Sequence, residues 1–472
     1  MLDIALLFTY HALHLHSKNN HSMSADITLK KGLNIPLKGD ASKVYSTHKT
    51  SNTFTVYPDD FHGVVPKMIV KEGENVSLGQ PIFFSKAHPE IQFVSPVSGT
   101  LTKIVRGAKR RILEIEFASD GKDKATKHKV TALEKLAADE LKSLLLASGC
   151  WPFIKQRPYD VVANPNTSPK GIFISGFTTA PLAADVAFVL ESQQEDFQNG
   201  IHALTKLAPK VHLSIAADDT SFLSSVQGVE MHRIKGIHPA GNVGVQIHHI
   251  DPINAGETAW VINPEDVARI GRFLATGTFD PSRTVAVVGP VVEKPSYLKS
   301  RIGEAIAPLL EAVGINANGQ VRIVNGDVLS GSTTHADGNL GFYNNTLSVL
   351  AEGNHYRMFG WLPFVGSNIF SMSRTSLSWL MPKRKYALNT NMNGEERALV
   401  VTGEMEQVLP MDIFPMQLLK ECMAQNIEKM EGLGIYEVAP EDFALVDYAS
   451  TSKIEAQAII REALDVMIKE VG

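Results

Sequence analysis

The chain of 472 residues has two cysteines, Cys150 and Cys422. Two thiols are too few for a cysteine-held iron–sulfur cluster or an all-thiolate zinc site, and they read as buried thiols in a reducing compartment. A large excess of one charge is also missing. Lys and Arg total 45 against 50 Asp and Glu, a net charge of −5, which makes nucleic acid a poor partner. No apolar run reaches the ~18 residues of a membrane span. The nearest, Leu2 to Leu15, holds Asp3, His11 and His14 and lacks both a basic start and a small-residue cleavage site, so no signal peptide is expected. The dinucleotide glycine fingerprint is missing as well. After the buried-strand pattern Gly171-Ile-Phe-Ile-Ser-Gly176 comes Phe-Thr-Thr-Ala-Pro, and a loop without closely spaced glycines cannot bring its backbone up to a pyrophosphate.

What is present suits a large globular chain. Apolar residues make up 44% and charged residues 20%, and the length suggests about three domains. Residues 1–22 read as a disordered tail or a mis-assigned start, with Met23 as the true first residue. His11, His14 and His16 in that tail imitate a metal site but are not assigned one.

From Ile27 to Gly39 the text alternates and is punctuated by glycine, a short strand and turn. Val70-Lys-Glu-Gly-Glu-Asn-Val-Ser-Leu-Gly-Gln-Pro-Ile82, followed by Ser95-Pro-Val-Ser-Gly-Thr-Leu101, resembles the barrel-sandwich fold of biotinyl and lipoyl domains. Where such a carrier presents its modified lysine, this chain reads His88-Pro-Glu-Ile-Gln-Phe93, with Lys86 outside the tip, so the scaffold is expected without a swinging arm. Lys109-Arg-Arg111 reads as a solvated strand edge. Thr131 and Glu134 fit a capping box for a helix from Ala132 to about Ser148, ended by Gly149. Strands at 171–176, 211–216 and 229–235, with helices at 183–190 and 198–206, predict an α/β layer with a mostly parallel sheet.

Arg233 to Pro252 concentrates Gly236, Gly241, Gly244, Pro239, Pro252, His238, His248 and His249. It reads either as a structural loop or as a crevice loop of cofactor type that has lost or changed its ligand. Further on come a strand and helix over 260–274 with Asn263 and Pro264 as cap and first turn, a strand from Thr284, a helix over 301–312, and a Gly326-Asp327 hairpin. Met358 to Phe370 is aromatic and poor in charge, suited to a partner or membrane surface or to a buried seam. Two amphipathic helices, 416–429 and 453–470, end the chain. The expected architecture is multidomain α+β and α/β. It comprises a barrel-sandwich hybrid over 23–130, a Rossmann-like layer over 131–256, a β-grasp module of the soluble-ligand-binding type over 257–340, and connecting strands with a helical domain over 341–472.

Ile27-Thr-Leu-Lys-Lys-Gly-Leu33, Ser95-Pro-Val-Ser-Gly-Thr100, Gly236-Ile-His-Pro-Ala-Gly241, Val287-Val-Gly-Pro-Val-Val292, Phe359-Gly-Trp-Leu362 and Ser373-Arg-Thr-Ser-Leu377 occur in the order that resembles the family of A subunits of sodium-translocating NADH:quinone oxidoreductases. The resemblance runs over about residues 25–472. That family is related to the NADH-binding flavoprotein of respiratory complex I. The resemblance implies a peripheral subunit, not catalytic alone, at the cytoplasmic face of a bacterial inner membrane. Its partners are the other members of a six-subunit sodium pump, with membrane contact made through them. It implies ubiquinone or menaquinone as substrate, no covalent cofactor, and no flavin or iron–sulfur cluster in this chain. Val446 and Ser450 stand where a related ferredoxin-like segment has cysteines.

Two segments match those the family links to quinone, Tyr57-Pro-Asp-Asp-Phe-His-Gly63 and Phe153-Ile-Lys-Gln-Arg-Pro-Tyr159. A quinone needs a flat apolar slot and a donor for each carbonyl. Arg157 and His62 are the candidate donors. Phe61, Trp151, Phe153 and Tyr159 are the candidate ring contacts, and Tyr57 completes the set. Two alternatives stand beside this reading. One is a purely structural role in assembly of the complex, and the other is an NADH- or flavin-binding dehydrogenase component.

Overall fold

The computed structural model describes residues 26–355, 362, 368–372 and 376–471. The expected tail at 1–22 with its start at Met23, and most of Met358–Phe370, lie outside these residues. Among the described residues no helix is long and apolar enough to cross a membrane.

Residues 53–119 form two antiparallel sheets. One has the order Thr53–Val56, Ile112–Ser119, Gly99–Arg106, Asn75–Val76, and the other Pro66–Met68, Pro81–Ser85, Gln92–Val94. Short strands with glycines at the turns force this form. Gly99 has φ +154° and approaches the Ala118 carbonyl too closely for any Cβ. Phe83 and Phe93 stack at 4.5 Å in the middle of this sandwich.

The α/β layer is built on a seven-stranded sheet in the order Asp26–Thr28, Glu230–Lys235, Val211–Ala216, Ile172–Ser175, Ala259–Val261, Lys155–Arg157, Val161–Val162. The first five strands run parallel, Lys155–Arg157 pairs antiparallel with the fifth, and Val161–Val162 pairs antiparallel with Lys155–Arg157. Helices Gln194–Leu204 and Pro264–Thr276 cross closely on one face, because Gly200 and Gly271 let backbone meet backbone where a Cβ would strike the Val267 and Asp196 carbonyls. Helix Val243–Ile250 covers the other face, where Ile247 packs with Phe173 and Val261.

The sheet changes two expected boundaries. Asp26–Thr28 leaves the barrel-sandwich segment to pair with Arg233–Lys235. Ala259–Val261 and its helix extend the α/β layer past residue 256, because that strand fills the gap between Ile172–Ser175 and Lys155–Arg157.

A six-stranded mixed sheet follows, ordered Ser332–Thr334, Val321–Asn325, Thr346–Ala351, Ser282–Val288, Ser296–Arg301, Ser42–Ser46. The helix expected over 301–312 spans only Ala307–Val313, since Ser296–Arg301 is drawn into the sheet opposite Ser282–Val287. Its Leu309, Leu310 and Val313 bury against Val285, Val287 and Leu298. The C-terminal helices Pro415–Met423, Ile427–Gly432, Ala444–Ala449 and Ala456–Glu470 share one core with Leu29, Ile234 and Val245 of the α/β layer.

Two local expectations also shift. The capping box at Thr131 does not form. Leu136 is pulled into the core in extended conformation, Lys206 bonds the carbonyls of Leu133 and Leu136, and the helix begins at Ala138. The stretch 233–252 is only partly a loop, for Val243–Ile250 is helical despite its glycine.

Candidate functional site

The two segments singled out in the sequence meet at one seam, and Phe342 and Tyr343 join them. Phe61 lies edge-on to Phe342 at 4.7 Å, and Phe153 stacks on the same ring at 4.7 Å and 17°. Asp60 accepts a hydrogen bond from the Phe342 amide at 2.7 Å, and the Tyr343 hydroxyl donates to the Pro152 carbonyl at 2.6 Å. The Lys155 ammonium sits over the Tyr343 ring. Three units contribute: the barrel sandwich gives Phe61, the α/β layer Phe153, the β-grasp region Phe342. Burial pushes the Asp60 carboxyl up to about 6 and holds the Tyr343 phenol well above its usual value.

Each predicted residue has a definite place. Tyr57 accepts a hydrogen bond from the Asn339 amide at 3.3 Å, and burial pushes its phenol up to about 12. Phe61, Trp151 and Phe153 are at most 2% exposed. Trp151 donates its indole N–H to the Ala163 carbonyl at 2.7 Å and meets Trp260 edge-on. Phe153 also lies under the Arg269 guanidinium at 4.7 Å.

Arg157, expected as a free donor, is 1% exposed and committed. It donates to Asp442 and to Glu441, both at 2.5 Å. Desolvation opposes its charge, but Asp442 and Glu441 outweigh it and hold Arg157 above its ordinary value. The residue that opens room for this pair is Gly244, where a Cβ would lie 2.2 Å from the arginine Nη1. Tyr159, with φ +83°, packs against the C-terminal helices, and burial raises its phenol. His62 is 38% exposed at its side chain and pairs with Asp465 at 2.7 Å, which in turn faces Arg461 at 3.2 Å.

So the seam gathers Phe61, Phe153 and their neighbours into a packed stack, while His62 and Tyr159 both turn to the C-terminal helices, His62 to Asp465 and Tyr159 to their core. An apolar cavity between Phe61, Phe93, Pro152, Phe279 and Phe342 has a free volume of about 10 Å³, scarcely room for one water. Phe342, Tyr343 and Asp60 escaped the sequence reading. The dipeptide of two rings at 342–343 was its only signal, because the partners are about 190–280 residues distant.

The strand ends of the α/β layer, where such folds hold ligands, are filled by the chain itself. Ser175 Oγ lies 2.9 Å from the Gly241 carbonyl, the Gly241 amide donates to Thr179 at 2.9 Å, and Gln246 donates to Ser175 at 2.8 Å. The start of helix Pro264–Thr276, a natural anion site, carries Glu265 and Asp266 in its first turn. Arg283 meets these at 3.1 and 3.0 Å, Arg269 pairs with Asp266, and the Thr284 amide donates to Glu265 at 2.8 Å. The two carboxylates themselves take the place a phosphate would occupy.

Cys150 and Cys422 are buried in separate cores, and burial pushes both thiols up to about 12. Val446 and Ser450 are buried on and just after helix Ala444–Ala449, and neither offers a thiolate.

These parts define a barrel-sandwich, α/β and β-grasp assembly with a helical C-terminus. Family models match it unit by unit: the NqrA N-terminal barrel-sandwich hybrid domain over residues 27–120, the NqrA second alpha/beta domain over 136–279, and the NQRA C-terminal domain over 284–336. The chain is 34% identical over 449 residues to the A subunit of the Na(+)-translocating NADH-quinone reductase of Haemophilus influenzae, covering 94% of this chain and 100% of that one. The same-named proteins of Actinobacillus pleuropneumoniae and Neisseria meningitidis are 35% and 33% identical, with the same coverage. The chain belongs to the family of Na(+)-translocating NADH-quinone reductase A subunits. A chain of an NAD+-reducing [NiFe]-hydrogenase overlays on 72% of this one with a TM-score of 0.37 at 13% identity, and this chain spans 64% of its length.

Proposed function

We propose that this chain is the peripheral subunit of a sodium-translocating NADH:quinone reductase, seated at the cytoplasmic face of the membrane, and that it serves assembly of the pump and quinone binding. The observation that carries this reading is the meeting of Tyr57–Gly63 and Phe153–Tyr159 at one aromatic seam, beside the half-exposed His62–Asp465 pair. A flat, apolar ring system suits the edge of such a stack. Quinone reduction takes up two electrons and two protons, and a histidine held by a carboxylate is a group that can hold a proton near a carbonyl. The electrons come from partner subunits. NADH oxidation and sodium transport belong to the whole complex, whose six subunits include this one.

No resident flavin or cluster is part of this reading. The strand-end crevice is closed by Gly241, Thr179 and Gln246, and the chain has no set of thiolates close enough to share a cluster. Equilibrium binding of a short-chain ubiquinone to the purified chain tests the proposal. His62→Ala and Tyr159→Ala each weaken binding several-fold if the seam edge is the site. Unchanged affinity in the double variant places the quinone elsewhere.

One observation favours the reading of a purely structural role in assembly. Phe61, Trp151, Phe153 and Arg157 are all at most 2% exposed, so in this conformation they serve the core. Under that reading the purified chain binds no quinone, and the variants impair assembly of the complex instead.

A further inference from the structure

The parallel pairing of Val211–Ala216 with Glu230–Lys235 sets His212 opposite Glu230 and Ser214 opposite His232. Alternate residues of a strand share a face, and registered partners share it too. His212, Glu230 and His232 therefore come together on the sheet face that carries Phe173. His212 Nδ1 lies 3.0 Å from His232 Nε2 and 3.5 Å from a Glu230 oxygen. One ligand atom from each residue falls within 4.8 Å of the others. A cation bonded to imidazole nitrogen and carboxylate oxygen at about 2.0–2.2 Å spaces such ligands roughly 3.3–3.6 Å apart. The set is within a few tenths of an ångström of that spacing on its two close edges.

The chain holds these rings firmly but completes them poorly. His212 stacks on Phe173 at 4.4 Å and 15°, and Gly171 leaves the ring its place, since a Cβ there would sit 3.1 Å from it. Both imidazoles are at most 4% exposed, yet among the described residues His212 Nε2 and His232 Nδ1 have no hydrogen-bond partner. Buried polar atoms are normally satisfied. Two imidazoles facing each other share a single proton; once the donating ring moves that proton to its outer nitrogen, a cation can take both facing lone pairs, while the outer nitrogens are unpartnered in either state and do not decide between them. Glu230 reaches solvent and supplies the way in, its other oxygen lying 3.3 Å from Lys210.

We propose that His212, Glu230 and His232 form a binding site for a borderline divalent cation of the zinc type, with three protein ligands and a remaining position open on the Glu230 side. The bound ion ties two neighbouring strands of the parallel sheet and stabilises the α/β layer in proportion to its occupancy. This site is separate from the aromatic seam and from the quinone reading.

Full-length protein stripped with EDTA and titrated with Co2+ tests it, followed by visible absorption and thermal unfolding. One equivalent is expected to give the ligand-field bands of a low-symmetry nitrogen–oxygen site, to be displaced by Zn2+, and to raise Tm. His232→Ala and Glu230→Gln each weaken uptake by about tenfold or more. A variant with His11, His14, His16 and His21 changed to alanine keeps the bands. Should His232→Ala fail to fold, Glu230→Gln, a solvent-reaching isostere, decides alone. Absence of cobalt bands in folded wild type, or bands that persist unchanged in Glu230→Gln, overturns the proposal.

Discussion

Two buried polar groupings, one at the start of helix Pro264–Thr276 and one on strands Val211–Ala216 and Glu230–Lys235, differ in how their charges are paired. At the start of helix Pro264–Thr276, Glu265 and Asp266 meet Arg269 and Arg283, so acids and bases are paired, although Asp266 Oδ2 and Arg283 Nε have no hydrogen-bond partner among the described residues. Around His212 and His232 the rings share one hydrogen bond and, among the described residues, leave two buried nitrogens without any, as the first grouping does with two of its atoms. The first grouping occupies the place where an anionic ligand would bind, and its charges belong to the fold. The second sets two imidazole nitrogens and a Glu230 oxygen side by side with one shared proton between the rings, a donor set that a cation can take over. In this chain, chemistry-bearing residues are a guide to function only after their partners have been counted, and Arg157 shows the cost of skipping that step.

The comparison breaks most visibly at the charged grouping. Arg283→Met leaves Glu265 and Asp266 short of a buried cation and is expected to cost roughly 3–5 kcal/mol, read by denaturant unfolding, whereas His232→Ala in metal-free protein costs much less. Gly244→Ala tests the Arg157 pair by space alone. Its Cβ would lie 2.4 Å from both Asp442 oxygens, and the forced shift is expected to cost about 1–3 kcal/mol.

A third buried histidine sharpens the point with pH. Among the described residues the His238 ring hydrogen-bonds only with Thr179, and burial pushes it down to about 4. Its unfolded counterpart binds a proton below about 6.5, so stability is complete above that pH and falls as pH drops toward 4. The loss is roughly 2 kcal/mol at pH 5, and His238→Gln flattens this part of the unfolding profile. The smallest effect on stability belongs to His62→Ala. Its hydrogen bond with Asp465 is more than a third exposed, so the change is expected to stay within about 1 kcal/mol while quinone affinity falls.

Much of the fold was legible because its signals are local. Ile172–Ser175, Val211–Ala216 and Glu230–Lys235 are short apolar or alternating runs, and Pro264 sits at the first turn of its helix as expected. The barrel sandwich announced itself through turns at Gly73, Gly79 and Gly99, each with positive φ. What stayed hidden depends on distant partners. Asp26–Thr28 pairs with a strand 207 residues on, and Ser42–Ser46 joins the β-grasp sheet beside Ser296–Arg301.

The candidate site shows the same division. Its aromatic composition was visible at 57–63 and 151–159, but the ring that unites the two segments, Phe342, was not. Arg157 looked like a free donor because Glu441 and Asp442 lie 284 and 285 residues away. Gly244 suggested a loop, when its task is to let a helix pass close to that ion pair. For the histidine cluster a signal did exist: Glu230-x-His232 on a strand puts both side chains on one face.

The most direct test of the functional account is photolabelling of the assembled complex with a light-activated quinone, followed by peptide mapping. The account predicts label on Tyr57–Gly63 or Phe153–Tyr159 of this chain, reduced by His62→Ala and competed by excess ubiquinone. Label confined to the partner subunits, with this chain untouched, would contradict it.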